Sequence, residues 1–235
     1  MEFHLLPTRT AGAAENMALD FLLLQRYPRA AALRFRHYEW RGPAFTFGFS
    51  QKIAWVRAQL APAGTVDLCR RPTGGGLVDH RHDWTYALVI PREHPWWEER
   101  AARSYRALHE CIAQALRELG QPAVVKPGAA PEPPAGAAGI CFEQAEPFDV
   151  VHERTGRKIA GAAQKRNKHG LLCQGSIWKP AVDELDWDQF GGRFLAALGE
   201  AAGATLALEP WPEFNEEEVA GLVEQYASLE WLEHR

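Results

Sequence analysis

The sequence is short of cysteine. Its four thiols, Cys69, Cys111, Cys141 and Cys173, are scattered along 235 residues and never form a C-x-x-C pair. That spacing argues against a structural zinc site, and a chain of this length needs no disulfide framework. Charge of one sign is not in excess either. The formal net charge is -4, which gives no general affinity for polyanions and argues against a nucleic-acid partner. No apolar run approaches membrane-spanning length, and the opening Met1-Glu2-Phe3-His4 lacks the charged-then-apolar pattern of a secretory signal. The expectation is a cytoplasmic protein with free thiols and no membrane partner. Two phosphate-binding signatures are missing as well: G-x-x-x-x-G-K-[ST] does not occur, and no G-x-G-x-x-G opens a helix.

What is present is enough apolar material for a large core, 46% of residues against 24% charged. We expect a single domain over 1–235. In chain order, 14–27 reads as a helix apolar around much of its circumference. Strand patterns cover 33–40 and 45–49, with the Gly42-Pro43 turn between them. A short helix over 52–60 is followed by strands at 65–69 and 84–90. The longest helical periodicity runs over 97–119, with Tyr105, Leu108, Ile112, Leu116 and Leu119 on one face. Residues 127–139 hold only Pro, Gly and Ala apart from Glu132. Such a stretch builds no core, and 127–140 is expected to be a mobile loop inside the domain. Strands follow at 148–152, 158–163 and 171–178, the first two forming a hairpin around Gly156. Helices over 183–202 and 215–232 complete the chain, the second opened by Asn215 and three glutamates. This element order is α+β, or mixed α/β, without regular βαβ alternation.

Three places carry candidate chemistry. The first is Arg70-Arg71-Pro72-Thr73-Gly74-Gly75-Gly76, between two strands. Three glycines weaken a strand but let a backbone come close to a ligand. Beside them the arginines and the threonine supply donors for an anionic or carbonyl-bearing group. A plain hairpin with both arginines in solvent is the alternative. The second is Cys141, at the end of the Pro/Gly/Ala loop. It is either an incidental loop thiol or a nucleophile activated by a nearby cation. The third is Lys158-Ile159-Ala160-Gly161-Ala162-Ala163-Gln164, where small residues permit close approach and Lys158 is either exposed near a turn or a cation fixed in a cleft. His109 and Cys111 read as packing residues. The run from Asp79 to Asp83, His169 and Cys173 show no metal-ligand spacing, so no metal is expected.

Taken together, the segments resemble one superfamily. Arg70-Arg71-x-Thr73-Gly74-Gly75-Gly76-x-Val78-x-His80 is similar to the R-R-x-[ST]-G-G-[GR]-x-V-x-H motif of the lipoate-protein ligase A/biotin ligase superfamily. Lys158 to Gln164 resembles its K-[IV]-[AS]-G-x-[AS]-Q motif. Asn16-Met17-Ala18-Leu19-Asp20 and the strand from Leu33 to Trp40 match its opening helix and strand. Cys141-Phe142-Glu143 resembles the C-F-[DE] motif of the ligase-like octanoyltransferases, and Asp83-x-Thr85-Tyr86 their [DE]-x-T-Y-[AS]. Gly76 stands where that subgroup often has arginine.

The resemblance implies a class II biotin/lipoate ligase-like domain, with a central mixed, mostly antiparallel sheet flanked by helices. It implies transfer of an octanoyl group from octanoyl-acyl carrier protein, through a thioester on Cys141, to a lysine of a lipoyl-domain protein. Glycine cleavage H protein or a 2-oxoacid dehydrogenase E2 would be such an acceptor. Lys158 would act with Cys141. Arg70, Arg71, Thr73, Gly74, Gly75, Gly76, His80, Thr85, Tyr86, Ile159, Gly161 and Ala163 would bind substrate, with Phe47, Val78 and Ile159 as apolar walls. No cofactor is expected. The alternatives are an ATP-dependent lipoate ligase, which would use ATP and magnesium, an amidotransferase between lipoyl proteins, and a non-catalytic acyl- or cofactor-binding module.

Overall fold

A computed structural model describes residues 1–60, 66–128 and 144–234. Its first strand, β1 (Glu2–Ala11), has no counterpart in the expectations above. The reason is its pairing. β1 lies parallel to β2 (Leu33–Trp40) on one side and to a C-terminal strand on the other. A strand with both faces covered shows no apolar-polar alternation, and here Phe3, His4 and Leu6 are all buried. Between β1 and β2 runs α1 (Ala13–Gln25), capped at Gly12, with Asn16 in its first turn.

β3 (Ala44–Phe47), α2 (Ile53–Leu60), β4 (Asp67–Arg70) and β5 (Val78–Asp79) follow, then β6 (Asp83–Ile90). The long helix expected over 97–119 is two helices, α3 (Pro95–Glu98) and α4 (Ala101–Glu118). His94 explains the separate start: its ring accepts the Trp96 N–H, and Pro95 occupies the first turn. β7 (Ala123–Val125) and β8 (Val150–His152) precede the hairpin of β9 (Lys158–Asn167) and β10 (Gly170–Trp178). α5 (Trp187–Ala202) begins later than expected, where the Asp186 carboxylate accepts the N–H groups of Asp188 and Gln189. β11 (Thr205–Leu208), α6 (Glu216–Ala227) and α7 (Leu229–Glu233) end the chain. Ser228 splits the last two by capping α7 through the Trp231 N–H.

Eight strands form one sheet in the order β11-β1-β2-β6-β10-β9-β8-β7. Five of the seven pairings are antiparallel, and the two parallel ones involve β1. This is the mixed α/β architecture expected, with helices outside. β4, β3 and β5 make a second, three-stranded sheet that the sequence did not announce. No helix among the described residues is long and apolar enough to cross a membrane.

The two faces of the large sheet differ. β6 directs Trp84, Tyr86, Leu88 and Ile90 to one face, where they join Leu108, Ile112 and Leu116 of α4 and Phe190, Phe194 and Leu198 of α5. Thr85 on the same strand faces the opposite way, toward the small sheet and α1. The candidate site lies on that second face.

Candidate active site

The glycine segment between β4 and β5 is folded by Arg71. Its guanidinium donates to the Thr46 hydroxyl at 2.7 Å and to the carbonyls of Gly74 and Gly76 at 2.9 and 2.8 Å. Two carbonyls drawn to one cation fold the loop tightly, and Gly75 between them has φ +89°, in the left-handed region that glycine adopts without penalty. Thr73 donates to Gln174 at 2.7 Å, Gln174 donates to Asp20 at 2.7 Å, and Arg36 donates to the other Asp20 oxygen at 2.7 Å. The loop is thereby tied to β10, α1 and β2. Burial raises the Asp20 pKa, with Arg36 opposing the shift.

A second network closes the same region. His80 Nδ1 lies 2.7 Å from Asp83, and Nε2 lies 2.7 Å from the Thr46 hydroxyl. Thr85 and Ser176 also donate to that Asp83 oxygen. The Trp40 indole N–H donates to Thr85 at 2.8 Å, and its rings stack on His80 at 4.1 Å. For a neutral His80 the donors run one way, from Arg71 through Thr46 and His80 to Asp83.

Lys158 is buried, 5% exposed, so the turn-exposed alternative is excluded. Its ammonium lies 2.8 Å from the Asp149 carboxylate, itself fully buried beside β8. Tyr105 of α4 donates to Asp149 and accepts the Ala162 N–H at 3.1 Å. The lysine stem crosses Gly161. A Cβ there would stand 2.7 Å from both Lys158 Cε and Nζ and 3.0 Å from Asp149, so only glycine leaves room.

These parts enclose a cleft with about 420 Å³ of empty space, part of it open to solvent. Register supplies its floor: Tyr38, Thr85, Ser176 and Gly161 are successive cross-strand neighbours, as are Ala87, Gln174 and Ala163. From β9 to β2 is three strand spacings, about 14 Å. Gly75, Val78, Arg71, Thr46, His80 and Trp40 face this floor from above, and Met17 reaches it from α1.

Of the residues expected to bind substrate, Arg71, Gly75, His80, Thr85, Gly161 and Ala163 line the cleft. Gly74 and Gly76 shape it through their carbonyls, and Thr73 through Gln174. Three are placed elsewhere. Arg70 directs its donors to the carbonyls of Phe49, Gln51, Trp231 and Leu232, so it braces α7 against the loop. Tyr86 and Ile159 belong to the apolar core beneath α4 and α5. Of the expected apolar walls Val78 is in place, whereas Phe47 packs with Val56 and Leu77 under the small sheet. The sequence reading missed Trp40, Thr46, Ser176, Gln174, Tyr105 and Asp149 as site residues. Met17 and Trp40 did fall within the opening motif. The others belong to no motif quoted above.

Cys141 lies outside the described residues. Burial pushes the thiols of Cys111 and Cys173 up to about 12 and that of Cys69 higher still, which makes all three unreactive. Among the described residues no cluster of three or more His, Cys, Asp or Glu side chains could hold a metal ion.

A cleft laid across a mixed sheet, roofed by a glycine loop, with the buried Lys158 packed against its Gly161, is the feature that these residues build. Residues 12–179 match the family described as the lipoyl protein ligase A/B catalytic domain. Octanoyltransferase LipM of Exiguobacterium sp. is 31% identical over 196 residues, covering 80% of this chain and 70% of that protein. The protein of the same name from Halalkalibacterium halodurans is 32% identical, covering 75% of this chain and 64% of its own length. That from Macrococcus caseolyticus is 29% identical over 94% of both chains. The bipartite lipoate protein ligase of Thermoplasma acidophilum superposes with a TM-score of 0.76 at 19% identity, covering 98% of this chain and 96% of that one. Lipoate-protein ligase A bound with ATP gives 0.74 at 18% identity, over 99% and 98%. The chain belongs to the lipoyl protein ligase A/B catalytic-domain family, and within it is an acyltransferase enzyme of protein lipoylation.

Proposed function

We propose that this protein moves an octanoyl group from octanoyl-acyl carrier protein to a lysine of a lipoyl-domain protein, through a thioester on Cys141. The observation that carries the reading is the cleft: a mainly apolar surface across four strands, lined on β9 by Gly161, against which the buried Lys158 side chain lies. Each methylene buried against such a surface contributes about 0.8 kcal/mol, so a medium-length chain is held far better than a short one. The names of the curated relatives support the acyl group. The C-F-E segment supports the nucleophile, as does the inertness of the other three thiols.

In this mechanism the Cys141 thiolate attacks the donor thioester carbonyl, and the carrier's thiolate leaves. The neutral amine of the acceptor lysine then attacks the octanoyl-enzyme, Cys141 departs as thiolate, and the amine loses a proton to solvent. Lys158 donates a hydrogen bond to the carbonyl oxygen as negative charge gathers on it. The reaction exchanges one thioester for another and then for an amide, so it requires neither ATP nor metal.

Intact-mass measurement after incubation with octanoyl-carrier protein tests the reading. We expect one octanoyl adduct, on Cys141, formed without ATP and discharged by a lipoyl domain. The second reading is an ATP-dependent lipoate ligase, favoured by the likeness to lipoate-protein ligase A bound with ATP. Strict ATP dependence with an acyl-adenylate and no cysteine adduct would establish it instead.

A further inference from the structure

The Lys158 ammonium sits where water scarcely reaches it. A buried ammonium is costly unless a counter-charge and hydrogen bonds replace its hydration. Asp149 supplies the charge at 2.8 Å, and it is held from several sides. Tyr105 donates to one carboxylate oxygen, and the Glu146 N–H donates to the other at 2.6 Å. The Tyr105 hydroxyl also receives the Ala162 N–H, which fixes it to β9, the strand that bears Lys158. The missing Cβ of Gly161 makes the space in which ammonium and carboxylate meet.

We propose that Asp149, braced by Tyr105, is the positioning residue of Lys158: it keeps the ammonium charged and lays it across Gly161 at the β9 end of the acyl cleft. The inference rests on the proposed catalytic role of Lys158 but concerns the lysine itself. It alters what the lysine does. A cation paired so closely projects little net field, so Lys158 acts mainly as an oriented hydrogen-bond donor and less as a free charge that acidifies a thiol. Among the described residues three further titratable groups face the pair or adjoin it, and Tyr86, whose pKa burial raises well above the ordinary value, is a neutral phenol. His109 of α4 also faces the pair, and burial lowers its pKa to about 4, so it is neutral near pH 7. Cys173, on the adjoining β10, is a neutral thiol with its pKa near 12.

The test is a heteronuclear NMR titration of protein labelled at lysine side chains. The sequence has six lysines, so the spectrum is sparse, and Lys158→Arg identifies the Lys158 signal by its loss. In the wild-type protein Lys158 is expected to titrate at or above the ordinary lysine value despite its burial. In Asp149→Asn its midpoint falls by about one pH unit or more, whereas Asp149→Glu restores most of the difference. The alkaline limb of kcat/KM for octanoyl transfer moves down by the same amount, a shift that a purely structural loss would not produce. Coincident midpoints in wild type and Asp149→Asn overturn the inference. So does a wild-type midpoint well below that of the other lysines, a result that needs no variant to fold. Transfer at the wild-type rate by Lys158→Arg would instead remove the lysine from the proposed mechanism and leave the titration result standing.

Discussion

The two faces of the large sheet differ in how much polar chemistry they bury. Toward α4 and α5 the side chains are aromatic and aliphatic: Phe35, Trp84, Tyr86, Phe190 and Phe194 pack edge-to-face, tilted or stacked, with centroids 5.3 to 6.2 Å apart. Toward the small sheet and α1 an apolar cluster of Leu6, Leu23, Leu24, Val89 and Leu172 is joined by buried polar groups: Asp20 with Arg36, His80 with Asp83, and Thr46, Thr73 and Gln174 between them. Apolar burial is non-directional and stabilises roughly in proportion to area. Buried ion pairs and hydrogen-bond chains add little net stability, but they hold each group in one place. The difference teaches that the α4/α5 face is stabilised mainly by apolar packing, whereas the site face adds fixed polar geometry to its apolar packing.

Substitutions can test that division. The largest effect belongs to the chemistry. Cys141→Ala should abolish both the octanoyl adduct and transfer without a change in thermal midpoint, read by mass spectrometry, a transfer assay and calorimetry. Transfer at the wild-type rate would exclude covalent catalysis by this residue. On the helix side, Phe194→Ala should reverse the pattern. Denaturant titration should show a loss of about 3–5 kcal/mol, with the rate per folded molecule unchanged. A large fall in that rate would mean the two faces are not separable.

His109 sharpens the comparison through pH. Burial lowers its pKa from the ordinary 6.5 to about 4. Between those values the unfolded chain binds a proton that the folded chain refuses. Stability is therefore complete above the upper value and falls as pH drops toward the lower one, by about 3 kcal/mol in all. His109→Leu should flatten this part of the stability-pH curve, followed by urea unfolding at several pH values. An unchanged slope would locate the acid sensitivity elsewhere. The smallest effect is expected at Gly161. Gly161→Ala adds one methyl where Lys158 crosses, and should cost at least about tenfold in kcat/KM, roughly 1.4 kcal/mol, with little change in denaturant midpoint. Equal loss of stability and activity would count against a purely geometric role.

Arg70 and Arg71 show where sequence stops being sufficient. They are adjacent, both buried, and matched together in one motif, yet Arg71 folds the glycine loop while Arg70 holds α7. Nothing local distinguishes them, because their partners lie elsewhere in the chain. Asp149 was illegible for the same reason: its neighbours give no pattern, and its role exists only once β9 brings Lys158 beside it. By itself the sequence determined the local features. These are the strand β6, the hairpin of β8 and β9, the helical face of α4, the glycine turn, and the motif set that placed the glycine loop and Gly161 in one cleft. Period and turn chemistry are properties of contiguous residues, and they survive without a tertiary fold. Only the tertiary structure decided the parallel strands β1 and β11, the small sheet, and the partner of each buried charge. β1, with Phe3, His4 and Leu6 all buried, carries no alternation to read, and β11 is a four-residue, largely exposed edge strand, too short to show a pattern. A buried ion pair is chosen by which side chains packing brings together, whatever their separation along the chain.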